Sequence, residues 1–133
     1  MFFQLTIDCA DPARLVRFWG PALGWQPVPP SQPDTTWWAH YRAWLGDDEA
    51  FENRLFDPDG LRPAILFQAV PEPKSVKNRM HLDIRVEDLD TATDAVLALD
   101  GTWDGNERAL DDARWRTLGD PEGNEFDIYV SAG

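Results

Sequence analysis

The sequence predicts an α+β fold made of two tandem βαβββ modules, with an additional helix in the first module. Three observations lead to this prediction. The hexapeptide LFDPDG at 55–60 is nearly repeated as LGDPEG at 118–123, and an apolar, strand-like segment follows each copy. The segments LTIDCAD (5–11) and LDIRVED (82–88) both alternate apolar with polar residues and then lead into a helical pattern. An internal duplication explains all three observations.

The spacing between equivalent positions gives the size of the repeat. Asp11 and Asp88, at the ends of the two alternating segments, are related by an offset of 88 − 11 = 77. The turn residues Asp57 and Asp120 are related by the smaller offset of 120 − 57 = 63, so the first module is longer by 77 − 63 = 14. The segment TTWWAHYRAWLG (35–46) has about this length and a helical spacing of aromatic residues. We predict one inserted helix there.

A helix follows the first strand of each module. The first helix begins at the N-cap Asp11, with Pro12 at the first helical position, and ends at Gly24. The second helix begins at Asp88 and ends before Gly101. The predicted apolar faces comprise Leu15, Phe18, Trp19, Ala22 and Leu23 in the first helix and Leu89, Ala92, Val96 and Leu99 in the second.

The remaining strands are expected downstream of each helix. They are predicted at 25–29, 51–56 and 64–70 in the first module and at 102–104, 114–118 and 125–130 in the second. The proline-rich and lysine-rich segment 71–79 is the predicted linker. We therefore expect one domain, 1–133, with modules at 1–70 and 80–133.

Composition excludes several classes of protein. A chain of 133 residues with 43% hydrophobic residues suits a single domain with its own core. The net charge of −12 argues against nucleic acid as a partner, since phosphate contacts need a basic patch. The sequence contains neither a membrane span nor the basic region of a signal peptide. The single cysteine, Cys9, is predicted to be a buried thiol, which suits a soluble protein of the reducing cytoplasm.

Polar residues share one face of the predicted strands. His81, Asp83 and Arg85 alternate with apolar residues in the strand that opens the second module, and Asp127 and Tyr129 do so in its last strand. If the apolar faces pack on the helices, the polar faces point to the opposite side of the sheet. We expect these side chains to line a common surface.

The segments DCADPARLVRFWGPALGW and GDPEGNEFDIYV, together with the stretch LFQAVPEPKSVKNRMHLDIRV between them, carry a family resemblance. Over nearly its whole length the chain resembles the vicinal oxygen chelate superfamily, the glyoxalase, bleomycin-resistance and extradiol-dioxygenase group, and more narrowly its glyoxalase-like domain proteins. The resemblance implies that the two modules curl their sheets into a cleft for a small molecule. It also implies that metal ligands, when present, lie near the start of the first strand and the end of the last strand of each module.

Carried over by position, the resemblance places candidate ligands of a divalent metal (Zn, Ni, Fe or Mn) at Gln4, His81 and Asp127. The fourth position falls within AILFQ (64–68), where no carboxylate is present and Gln68 is the only polar residue. A glyoxalase-type reaction needs such a metal and a base that moves a proton next to a carbonyl group.

Three functions are compatible with these residues. The first is a metal-dependent lyase or isomerase of the glyoxalase type, in which Asp8 is the candidate catalytic base. The alternative is a metal-free, non-catalytic binding protein of the bleomycin-resistance type that captures a cationic aromatic compound. The third is an interaction module without a working site. The candidate ligand-binding residues are Thr6, Asp83, Arg85, Trp38 and Tyr129.

Structural roles also explain some of these residues. His81 could be held by Asp83 or Asp127 rather than bind a metal, and Asp83 and Arg85 could form an ion pair. The tryptophans of the inserted helix either cover the cleft of their own chain or are buried in a homodimer. We expect a homodimer that binds a small molecule, with neither nucleic acid nor membrane as a partner.

Overall fold

The computed structural model describes residues 1, 3–27, 43 and 53–132. Its contacts divide the chain into two compact units, Met1–Pro73 and Lys74–Gly133, with the boundary inside the segment that the sequence predicts as a linker. The predicted inserted helix at 35–46, including Trp38, lies outside the described residues apart from Ala43. Within the described residues, no helix combines the length and the hydropathy that crossing a membrane requires.

The first unit contains a three-stranded sheet and one helix. Its elements are β1 (Leu5–Cys9), α1 (Pro12–Leu23), β2 (Arg54–Leu55) and β3 (Ile65–Ala69). The strand order is β1-β3-β2, with β1 parallel and β2 antiparallel to β3. Of the strand predicted at 25–29, residues 28 and 29 lie outside the described residues, and the described part contains one bridge, between Gln26 and Phe56.

Helix α1 follows the sequence prediction closely. The side chain of Asp11 accepts a hydrogen bond from the backbone N–H of Arg14 and so caps the helix. The helix ends at Gly24, whose φ of 69° lies in the left-handed region that glycine adopts at little cost. Phe18 and Trp19 are buried and make an edge-to-face contact with ring centroids 5.1 Å apart.

The second unit contains a five-stranded sheet and one helix. Its elements are β4 (Asp83–Arg85), α2 (Leu89–Ala98), β5 (Thr102–Trp103), β6 (Arg108–Leu110), β7 (Ala113–Gly119) and β8 (Glu125–Val130). The order is β4-β8-β7-β5, and β6 also pairs with β7. Strand β4 is parallel to β8, and the other pairs are antiparallel.

Strand β6 was not predicted from the sequence. All three of its residues are exposed, so it lacks the alternation of apolar and polar residues that marks a half-buried strand. It pairs with β7 through a tight hairpin in which Asp111 has a φ of 53°. Aspartate tolerates this left-handed conformation better than most residues, and a two-residue hairpin turn requires it.

The two units repeat one topology. In both, the first strand is parallel to the last strand, which in turn pairs with an antiparallel neighbour: β1-β3-β2 in the first unit and β4-β8-β7 in the second. The bridge between Gln26 and Phe56 takes the place of the pairing between β5 and β7. The internal repeat predicted from the sequence is therefore present in the arrangement of the strands.

The twin turns owe their shape to buried aspartates. Asp57 is 2% exposed, and its carboxylate accepts hydrogen bonds from the backbone N–H groups of Asp59 (3.0 Å) and Leu61 (3.1 Å). Asp120, 1% exposed, accepts in the same way from backbone N–H groups of its own turn. In both turns the aspartate replaces backbone acceptors that the tight bend cannot supply.

Helix α2 packs on its sheet around a buried arginine that the sequence did not indicate. Arg116 of β7 donates to Thr93 Oγ1 (2.8 Å), to Asp90 Oδ1 (2.6 Å) and to Glu107 Oε2 (2.8 Å). Its guanidinium also lies 4.3 Å from the ring centroid of Trp103. Burial alone would lower the pKa of Arg116, but the hydrogen bonds and charges of the two carboxylates outweigh it and raise the pKa.

Candidate metal and ligand site

One histidine and two aspartates of the second unit lie close together. Nε2 of His81 lies 3.2 Å from Oδ1 of Asp83 and 3.7 Å from Oδ2 of Asp127. One ligand atom from each of the three side chains lies within 4.8 Å of the other two. The sheet brings the two aspartates together, because Asp83 on β4 and Asp127 on β8 are direct cross-strand neighbours, whereas His81, predicted in the same strand as Asp83, precedes β4. Residues paired in this way project their side chains on the same face.

The carboxylate of Asp127 is held in one orientation. Thr117 Oγ1 donates to Asp127 Oδ1 at 2.6 Å and accepts from Nη1 of Arg108 at 3.4 Å. Oδ2 of the same carboxylate is left to face His81. The side chain of Asp127 is 19% exposed, compared with 39% for His81 and 62% for Asp83, so the site is open to solvent on the side of Asp83.

An open depression of about 330 Å³ adjoins these side chains. It is lined by Asp83, Ala113, Trp115, Asp127 and Tyr129. Trp115 of β7 and Tyr129 of β8 are cross-strand neighbours, so the two aromatic side chains stand side by side on the sheet. The depression therefore combines carboxylates with an apolar floor, as small-molecule sites commonly do.

The donor atoms fit a divalent metal. One imidazole nitrogen and two carboxylate oxygens are the ligand types that Zn, Ni, Fe and Mn accept in proteins. The sequence predicted His81 and Asp127 as metal ligands and Asp83 as a ligand-binding residue. The structure places all three in one cluster. The alternative ion pair between Asp83 and Arg85 is not what forms: Asp83 pairs with His81, and Arg85 donates to the carbonyl oxygen of Ser131 (3.3 Å).

Of the predicted site residues that the structure describes, Gln4, Thr6 and Asp8 belong to the first unit. Gln4 precedes β1, and its Oε1 accepts a 3.0 Å hydrogen bond from Nε of Arg54. Its Nε2 donates to Oγ1 of Thr6 at 3.5 Å. Thr6 and Asp8 are exposed residues of β1. The amide oxygen of Gln4 is the atom through which this residue would bind a cation, so Arg54 already uses one of its two lone pairs.

Strand register gives a residue-level match between the units. Thr6 and Asp83 are equivalent, since the offset between them is the one that relates Asp11 to Asp88. Thr6 pairs with Leu66 on β3, whereas Asp83 pairs with Asp127 on β8. Leu66 thus stands in the first unit where Asp127 stands in the second. The polar residue that the sequence suggested for this position, Gln68, lies further along β3, where it pairs with Asp8.

Sequence reasoning missed Trp115, Thr117 and Arg108. Strand 114–118 was predicted, but its residues were not assigned to faces. Alternation along that strand would have placed Trp115 and Thr117 on the same side. Arg108 had no such signal, because β6 was not predicted.

The sequence of this chain matches the family described as "Glyoxalase-like domain" over residues 4–129. The chain belongs to this family. It is thereby a member of the vicinal oxygen chelate superfamily that the sequence resembles. No curated protein sequence matches the chain.

Solved structures show that this glyoxalase-like protein has the glyoxalase/bleomycin-resistance fold. A glyoxalase/bleomycin resistance protein/dioxygenase family enzyme from Burkholderia phytofirmans PsJN is 16% identical, with a TM-score of 0.65 and coverage of 96% of both chains. A genomically encoded fosfomycin resistance protein from Listeria monocytogenes is 12% identical, with a TM-score of 0.64 and coverage of 99% of this chain and 93% of that one. A glyoxalase family protein from Bacillus cereus is 14% identical, with a TM-score of 0.61 and coverage of 100% and 94%. At these identities the likeness establishes the fold alone.

Proposed function

We propose that this glyoxalase-like protein is a metal-dependent lyase or isomerase that binds a small molecule in the depression of its second sheet. The divalent metal would be held by His81, Asp83 and Asp127. The observation that carries the proposal is the convergence of these three side chains beside an aromatic-lined depression. Family membership supports it, since the resemblance implies ligands at His81 and Asp127.

The metal and the surrounding side chains would have different roles in the reaction. When bound, the metal would polarise a carbonyl or similar oxygen of the substrate as a Lewis acid. Thr117 fixes the carboxylate of Asp127, and the paired rings of Trp115 and Tyr129 orient the apolar part of the substrate and exclude water from it. The role of Gln4 as a metal ligand stays a prediction from the sequence, since Gln4 belongs to the first unit and Arg54 uses one lone pair of its amide oxygen.

The catalytic base that the sequence predicts is Asp8 of the first unit, and this role stays a prediction that is separate from the site in the second sheet. Its carboxylate is exposed on β1, so it is not committed to a buried structural role. A carboxylate of this kind can take a proton from a carbon next to a polarised carbonyl. Asp8→Asn should abolish turnover and leave metal binding unchanged, whereas a residue that held the metal would lose both.

Metal binding tests the proposal directly. Protein purified without chelator should contain close to one equivalent of Zn, Ni, Fe or Mn by elemental analysis, and metal-stripped protein should bind Mn²⁺ in a calorimetric titration. His81→Ala and Asp127→Asn should each lose this binding. Asp94→Asn, a change at an exposed position on α2, is the charge-matched control for Asp127→Asn and should behave like the native protein. A native protein that neither contains nor binds a metal would refute the proposal.

A second candidate function follows from the carboxylates and rings of the same depression. Asp83 and Asp127 beside Trp115 and Tyr129 would suit a cationic aromatic compound, as in a metal-free resistance protein of the bleomycin type. Such a compound should raise the melting temperature of the metal-stripped protein. Under this function His81→Ala should retain the effect, and the combined change of Asp83 and Asp127 to Asn should remove it.

The homodimer expected from the tryptophan-rich segment 35–46 remains a prediction. That segment lies outside the described residues apart from Ala43. Light scattering after size-exclusion chromatography should give a mass close to twice that of a single chain. The mass of one chain would contradict the prediction.

A further inference from the structure

A row of four side chains crosses the second sheet through the middle of the depression. Arg85 on β4 pairs with Tyr129 on β8, Tyr129 pairs with Trp115 on β7, and Trp115 pairs with Arg108 on β6. Cross-strand partners project on the same face of a sheet, so all four side chains stand on the face of the depression. Two neighbouring aromatic rings are thus flanked by an arginine on each side.

The two arginines stand on opposite sides of the aromatic pair. Nη1 of Arg108 lies 3.4 Å from Thr117 Oγ1, next to Asp127, so this guanidinium lies over the sheet and close to the metal cluster. Nη2 of Arg85 donates to the carbonyl oxygen of Ser131 at 3.3 Å, beyond the far end of β8. Three strand spacings separate the two backbones, about 14 Å. Trp115 and Tyr129 occupy the two strands that lie between the two arginines.

We infer that the substrate of this site is an anion with a flat apolar body, which lies on Trp115 and Tyr129 while its anionic group binds Arg108 or Arg85. Guanidinium groups bind carboxylates and phosphonates through paired hydrogen bonds, whereas they repel a cationic ligand. The two arginines should therefore favour the binding of an anionic ligand over that of the cationic aromatic compounds of the alternative function.

This inference rests on the proposed function, because the bound metal of that function would offset the negative charge of the site. Asp83 and Asp127 would repel an anion while their carboxylates are uncompensated. A divalent metal held between them would neutralise the two carboxylates. The positive charges of the two arginines would then dominate beside the rings. By reciprocity, an anionic ligand and the metal should each strengthen the binding of the other.

The test uses three ligands of one shape and different charge on the full-length protein. The probes are 1-naphthoate, neutral 1-naphthamide and 1-naphthylmethylammonium, titrated by fluorescence against Mn²⁺-loaded protein. Naphthoate should bind about tenfold more tightly than naphthamide, as one charge-assisted hydrogen bond predicts, and the ammonium should bind most weakly. The double variant Arg85→Gln/Arg108→Gln should lose the preference for naphthoate. The double variant Arg14→Gln/Arg17→Gln, which removes the same charge from α1, should keep it.

Two further measurements separate this inference from the proposed function. The Arg85/Arg108 double variant should still bind Mn²⁺, because neither arginine supplies a ligand atom to the cluster. The variant Asp83→Asn/Asp127→Asn removes the opposing charges without any metal, and it should prefer naphthoate even when metal-free. If the native protein binds no metal while this variant prefers naphthoate, the proposed function fails and the anion site stands. If naphthamide binds as tightly as naphthoate in both the loaded protein and this variant, the inference is wrong whatever the metal result.

Discussion

The hydroxyl of Thr117 donates a 2.6 Å hydrogen bond to Oδ1 of Asp127, its cross-strand neighbour. This bond fixes the plane of the carboxylate and directs Oδ2 toward His81, 3.7 Å away. Hydrogen bonds of this kind preorganise metal ligands, since a free carboxylate must lose rotational freedom when it binds.

Replacement of Thr117 by valine should therefore weaken Mn²⁺ binding by about tenfold without unfolding the protein. Valine has the same shape but no hydroxyl, so Asp127 loses its donor. Thr117→Ser keeps the hydroxyl and should restore most of the affinity. A calorimetric titration of the three proteins measures the effect, and equal affinity of the valine variant and the native protein would contradict the assigned role.

Arg116 should be a major source of stability in the second unit. Its guanidinium is almost buried and holds together α2, β7 and the segment that carries Glu107. Arg116→Met should lower the free energy of unfolding by about 3 kcal/mol, because the buried carbonyl oxygen of Leu89 and the buried hydroxyl of Thr93 lose their donor. Arg114→Met, on the same strand and also paired with Glu107 but 58% exposed, should cost less than about 1 kcal/mol. Urea denaturation of both variants measures the difference, and equal losses would show that the buried network adds nothing.

The aspartate of the first turn should matter for folding and not for binding. Asp57→Ala removes a buried carboxylate that accepts from two backbone N–H groups of the turn, which should cost about 2 kcal/mol of unfolding free energy. Asp59→Ala in the same turn changes an exposed side chain and should cost less than about 0.5 kcal/mol. Thermal and urea denaturation compare the two variants. An Asp57 variant as stable as the native protein would mean that water replaces the carboxylate.

Glu125 should make the stability of the protein depend on pH. Burial by itself raises the pKa of this carboxyl, but hydrogen bonds from the backbone N–H of Asn78 and from Nζ of Lys74 outweigh it and hold the pKa below its ordinary value of 4.5. A carboxyl whose pKa is lowered by folding stabilises the folded state above its unfolded pKa. That contribution is lost as the pH falls from about 4.5 through the lowered value.

Glu125→Gln should accordingly be less stable than the native protein at neutral pH and should lose less stability on acidification below pH 4.5. Glu72→Gln changes an exposed carboxyl and is the matched control. Urea denaturation at a series of pH values between neutral and acid measures the slopes. Parallel curves for Glu125→Gln and the native protein would exclude the predicted coupling.

Local rules were sufficient to predict much of the fold. The cap at Asp11, the stop at Gly24 and the alternation of apolar residues act within a few positions of the chain, so the sequence displays them directly. Strand β6 escaped prediction because its residues are all exposed and only its pairing with β7 makes it a strand. The burial of Arg116 was not predicted for a similar reason, since its partners Thr93 and Asp90 are distant in sequence.

By itself the sequence determined the duplicated α+β fold and the polar position of Asp127 on the last strand, because a repeat, helix caps and alternation can be read directly from the order of residues, and its resemblance indicated the family. Only the tertiary structure decided that Asp83 lies beside His81 and Asp127, that Thr117 orients Asp127 and that Arg85 and Arg108 flank a pair of aromatic rings. The physical reason is the register between strands. A register shift of one residue would turn each of these side chains to the other face of the sheet, and the register is set by packing over the whole unit.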